Sequence, residues 1–134
     1  MMLSHTSIWS QHTAEIQYPD EEEGRVRPER MQLFWDNYYA SSLRDIQAVI
    51  DKGVATNRPN VEAVGLIWKT WIFHQITDLY GDAPYSEALR AEEGLTAPAY
   101  DAQQAIYTGM IQTLKDAEAL LDPTESGFGP GDIL

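Results

Sequence analysis

Apolar side chains recur at steps of three and four along three stretches of the chain, separated by polar segments rich in Gly and Pro. The first stretch holds Trp35, Tyr39, Leu43, Ile46 and Ile50, widened by Met31, Phe34, Tyr38 and Val49. That spacing keeps side chains on one face of an α-helix. Pro28 suits the first helical position because it has no N–H to satisfy, and Glu29 falls near the positive helix end. Lys52-Gly53 supplies the expected stop, with a cation in the last turn and Gly beyond it.

The second stretch holds Val61, Val64, Trp68, Trp71, Ile72, Ile76 and Leu79, with Asn60 as its expected N-cap and Glu62 in the first turn. Leu66 and Phe73 stand on the other side, which predicts a helix touched on two sides. The third stretch runs from Asp101 to Leu121, with Ile106, Met110, Leu114, Ala117 and Leu121 as its stripe and Tyr107 and Ile111 flanking. Asp101 and Gln104 have the spacing of a capping box. Gly109 costs about 1 kcal/mol against Ala in a helix interior, so its smallness predicts close approach of another helix. The expected organisation is one all-α unit: an irregular segment over 1–27, a helical core over 28–122 and a Pro/Gly-rich tail over 123–134.

Charge and composition mainly exclude. The 134 residues carry 21 acids against nine bases, a formal net charge of −12. Nucleic acid needs clustered Lys and Arg, so it is not an expected partner. There is no Cys, which removes disulfides, thiolate metal sites, Cys nucleophiles and a lipid-bearing Cys from this stretch. No run of about 18 apolar residues exists to span a bilayer. The opening "MMLSHTSIWSQHTAEIQ" lacks the basic and apolar regions of a signal peptide. The acids of "YPDEEEG" (Tyr18 to Gly24) lack EF-hand spacing and suit a solvated loop. His5, His12 and His74 lack the spacing of a helix-borne metal pair. Neither a metal nor a cofactor is expected.

The most distinctive stretch is a corner, "TDLYGDAPY" (Thr77 to Tyr85). Gly81 accepts positive φ without a Cβ penalty and ends the helix. Asp82 suits a turn. Pro84 forces Ala83 into an extended conformation, so the helix does not resume. Asp78, Tyr80, Gly81, Asp82 and Pro84 therefore form a structural corner.

Three segments carry a family resemblance: "FWDNYYASSLRDIQAVID", "IWKTWIFHQITDLYGDAPYSEAL" and "PAYDAQQAIYTGMIQTLKDAEALL". In this order and spacing, over about residues 9 to 122, the chain resembles the SusD/RagB outer-membrane lipoproteins of Bacteroidota, in the SusD-like branch. The resemblance implies an all-α fold of tetratricopeptide-like antiparallel helix pairs with long irregular loops, here with about three main helices. It implies a non-enzymatic protein, lipid-anchored on the outer face of the outer membrane. Such a protein captures a glycan or other nutrient for a TonB-dependent, SusC-like β-barrel transporter. Intact members are longer and carry a secretion signal and a lipid-bearing Cys, so residues 1–134 read as a fragment of one SusD-like helical domain.

Aromatic rings stack on pyranose faces, which makes Trp9, Tyr18, Tyr85 and Tyr100 the candidate ligand contacts. Trp35, Trp68 and Trp71 lie on apolar helical faces and are expected in the core. Two other readings stay open. One is a tetratricopeptide-like adaptor that binds a peptide. The other is a small glycan hydrolase using Asp78 and Asp82 as its paired carboxylates.

Overall fold

The structure, a computed structural model, describes Ser10, His12 and residues 28–125. Trp9 and Tyr18 lie outside the described residues. The chain divides into two compact units, 1–34 and 35–134. The described part of the first is Ser10, His12 and the opening turns of helix α1 (Pro28–Asn37). The second unit carries the remaining helices and the hydrophobic core.

After α1 comes a π-helical turn (Tyr38–Ser42), then α2 (Leu43–Ala55), α3 (Pro59–Tyr80), a short 3-10 turn (Ala91–Glu93) and α4 (Gln103–Leu120). The π turn answers the apolar spacing: steps of four drift by about 40° in an α-helix, and Trp35, Tyr39 and Leu43 are two such steps. A wider turn absorbs the drift and keeps the three side chains in line.

Helices α2 and α3 are joined by three residues, with Asn57 at φ 52°, and run antiparallel. Their register is read from facing pairs: Gly53 against Glu62, Ile50 against Gly65, and Lys69 Nζ donating to Gln47 Oε1 at 2.7 Å. Gly53 is not the helix stop expected from the sequence. It is buried inside α2, where a Cβ would stand 2.7 Å from the backbone N of Glu62. A Cβ on Gly65 would stand 2.6 Å from Ile50 Cγ1. Two glycines thus let two helix backbones approach closely. α4 returns antiparallel to α3, with Tyr107 beside Asp78 at one end and Asp122 beside Asn60 at the other.

Leu43, Ile72, Phe73, Ile76, Ala83, Ile106 and Met110 form the buried core, wrapped by half-buried aromatics that include Trp35, Tyr39, Tyr80 and Tyr85. Full burial of a side chain such as Phe73 or Leu43 contributes about 1.5–3 kcal/mol. The fold is all-α with antiparallel helix pairs, as the resemblance implied.

The helix ends are fastened differently from the sequence expectation. Asn60 lies inside α3, and Arg58 holds the N-cap position without a side-chain cap bond. The Asn60 amide instead pairs with the Asp122 backbone, donating to its O at 2.8 Å and accepting from its N–H at 2.7 Å. Glu125 supplies the missing acceptor at the α3 start, taking the Asn60 N–H at 2.8 Å and the Arg58 Nε at 3.0 Å. The tail therefore caps a helix more than 60 residues upstream, which no local cap signal reports.

Candidate functional site

The corner is held by its own backbone and side chains. Gly81 ends α3 at φ 75°, ψ −117°, its N–H donating to Thr77 O at 2.8 Å. The Thr77 hydroxyl donates back to Gly81 O at 2.8 Å. Ala83 then pairs with Asp101 as an antiparallel bridge, with N–H···O distances of 3.2 and 3.0 Å. The Tyr39 hydroxyl donates to Pro84 O at 2.6 Å. Burial raises the Tyr39 pKa above the usual phenol value, and the nearby Tyr100 and Asp101 add to the effect, so Tyr39 stays a neutral donor.

Asp101 is not the cap of α4; residue 102 is, and it makes no side-chain cap bond. The carboxylate of Asp82 reaches across and accepts the Gln103 N–H at 2.9 Å, while Gln103 Nε2 donates to Thr77 O at 2.8 Å. This frees the Asp101 side chain for another task. Its Oδ2 accepts the N–H groups of Tyr85 (3.0 Å) and Ser86 (2.8 Å), and the Ser86 hydroxyl reaches its Oδ1 at 2.9 Å. These bonds, led by the Ser86 N–H, hold its pKa below the ordinary Asp value. Ala99 N–H donates to Glu87 Oε2 at 2.8 Å. The segment 85–100 is therefore a loop whose two ends are fastened together.

Two candidate tyrosines border that loop and face different ways. Tyr85 turns inward: its ring meets Phe73 edge-on at 4.8 Å and lies against Gly109. The close approach expected at Gly109 is thus made by a tyrosine ring and not by a helix. Tyr100 turns outward, 64% exposed, with its ring stacked on Trp35 at 6.0 Å and 16° between planes. Trp35 in turn meets Tyr80 edge-on at 5.0 Å and Tyr39 at 4.8 Å, and Tyr39 meets Phe73 at 6.4 Å. A continuous series of rings runs from the buried Phe73 to the exposed Tyr100. An aromatic surface backed by a fixed core is suited to a sugar face.

Asp78 and Asp82 each have a partner. Asp78 accepts the Tyr107 hydroxyl at 2.5 Å and faces His74 Nε2 at 3.3 Å; Asp82 is the cap described above. Among the described residues no three His, Asp or Glu side chains gather as a metal site. Among them, too, no helix is long and apolar enough to cross a membrane.

Trp68 and Trp71 depart from expectation. They are 52% and 51% exposed and meet edge-on at 5.6 Å, with Ile67 also exposed beside them. α2 and α4 cover the face of α3 that holds Ile72, Phe73 and Ile76, and one helix cannot turn every apolar residue toward the same two neighbours.

The decisive comparison is with protein families. Residues 3–134 match the family SusD-like_2, described as starch-binding and associating with the outer membrane. The chain belongs to this SusD-like family. A comparison with curated proteins finds none that matches. Membership places this SusD-like chain among glycan-binding proteins associated with the outer membrane. The Trp35–Tyr100 stack of the SusD-like chain is the feature that sequence reading missed. The sequence marks Tyr100 as a candidate ligand contact and Trp35 as a core residue, but 65 positions separate them, so no local pattern joins them.

Proposed function

We propose that this protein captures a starch-like glycan by non-covalent contact, without cleaving it, and passes it to a TonB-dependent, SusC-like β-barrel transporter. In this reading it is lipid-anchored at the outer face of the outer membrane. Tyr100, stacked on Trp35, is the aromatic surface on which a pyranose ring lies. The observation that carries the reading is the exposed Tyr100 ring, fixed by the rings beneath it, in a chain of the starch-binding family. Sugar binding by stacking needs a ring that is exposed yet already held, because ordering a free side chain costs part of the binding energy.

The non-enzymatic reading is supported by the engagement of Asp78 and Asp82 in structural hydrogen bonds. A glycosidase needs two carboxyl groups facing a shared substrate space. Calorimetric titration of the full chain with maltoheptaose, a soluble starch fragment, tests the proposal. Saturable binding is expected, with no new reducing ends after prolonged incubation. Absence of binding, or release of reducing ends, contradicts it.

A further inference from the structure

We propose that Asp101 is a positioning residue for the Tyr100 surface: its carboxylate fastens the two ends of the 85–100 loop and so keeps Tyr100 stacked on Trp35 in the orientation that receives a ligand. The inference rests on the reading of Tyr100 as the glycan contact.

Tyr100 is largely exposed, so packing holds only one face of its ring, and the chain on either side fixes the rest of its position. Both neighbours in sequence are tied across the loop neck by carboxylates. Ala99, before it, donates its N–H to Glu87 Oε2 at 2.8 Å. Asp101, after it, is bonded through backbone and side chain at once. Its N–H and C=O pair with Ala83, and its carboxylate gathers the Tyr85 N–H, the Ser86 N–H and the Ser86 hydroxyl. Charge-assisted bonds of this kind are about twice as strong as neutral ones. The same Asp101 carboxylate holds Tyr85, whose ring packs on Phe73 and Gly109, so the exposed end of the loop is referred directly to the core. Without the carboxylate the neck opens, Tyr100 samples other rotamers, and each binding event must first order it again.

The test uses the full chain, maltoheptaose titrations and near-ultraviolet circular dichroism without ligand, all well below every variant's unfolding midpoint. The Trp35–Tyr100 stack contributes a dichroism component, defined as what Tyr100→Ala removes. Asp101→Ala is expected to lose that component and to bind about five- to tenfold more weakly. Asp101→Asn is expected to restore both, since its carbonyl oxygen accepts the two N–H groups and its NH2 donates to the Ser86 hydroxyl. Should Asp101→Ala fail to fold, Ser86→Ala, which removes only the hydroxyl, carries the test with a smaller loss in the same two readouts. A variant that melts earlier while keeping the dichroism component and the wild-type affinity overturns the proposal, because Asp101 is then structural only. Asp101→Asn as impaired as Asp101→Ala overturns it too, because charge rather than fastening would then matter. Wild-type affinity in Tyr100→Ala instead overturns the glycan reading of Tyr100.

Discussion

Tyr85 lays its ring over Gly109 so closely that a Cβ at position 109 would stand 2.6 Å from its Cε1 and 2.9 Å from its hydroxyl oxygen. One glycine in α4 thereby sets how deeply the corner after α3 docks. Gly109→Ala gains about 1 kcal/mol of helix propensity but forces the ring away, at about 1–3 kcal/mol for overpacking. Net destabilisation is expected in urea unfolding. In a Tyr85→Ala background the same change is expected to stabilise, giving a coupling that a double-mutant cycle reads directly.

Gly81 is constrained differently. At φ 75°, ψ −117° its backbone is in a region that residues with a Cβ rarely adopt, yet nothing stands within 4 Å of where a Cβ would be. Gly81→Val therefore destabilises through backbone strain alone, by about 1–3 kcal/mol. An unchanged unfolding midpoint would show that the corner has another low-energy conformation.

Asp101 gives the fold an acid dependence with a defined sign. Its folded pKa is held below the ordinary carboxylate value, first by the Ser86 N–H bond. A depressed folded pKa contributes stability that is fully present above the unfolded pKa and lost as pH falls through the folded one. The stability advantage of wild type over Asp101→Asn is thus expected to hold at neutral pH and fade only at acid pH, below the usual Asp range. Solvent screening of this partly exposed carboxylate keeps the effect small. A difference constant from neutral to strongly acid pH would contradict it.

Trp71 and Phe73 are two residues apart and energetically far apart. Phe73 is 1% exposed at the centre of the core, while Trp71 is 51% exposed beside Trp68. Phe73→Ala is expected to cost about 3–5 kcal/mol. Trp68→Ser with Trp71→Ser is expected to change stability by less than about 1 kcal/mol while lowering binding of a dye for apolar surface. A large loss of stability in the double variant would place those tryptophans in the core.

These contrasts mark where local pattern carries information and where it stops. The helices at Pro28, before Gly81 and over Ile106 to Ala117 follow from spacing and from residues that start or stop a helix. The corner is legible for the same reason, since Gly81 and Pro84 act through their own backbones. The caps are not legible: Asp82 rather than Asp101 serves α4, and Glu125 rather than Asn60 serves α3. A carboxylate brought in by tertiary structure satisfies the same N–H as a local one, so a capping-box spacing only shows that a local cap is available. The direction of the α3 tryptophans is likewise hidden, because periodicity reports that residues share a face and not which face is covered. The Trp35–Tyr100 stack joins the start of the unit to the segment before α4 and depends on the helices between them being in place.

The measurement that tests the account most directly is migration of the full chain and of Tyr100→Ala through native gels containing soluble starch. The account predicts that starch retards the wild-type chain and that Tyr100→Ala migrates nearly as in a starch-free gel, with at least about a tenfold weaker interaction. Equal retardation of the two proteins, or none of either, would contradict the claim that Tyr100 on Trp35 is the surface that captures glycan.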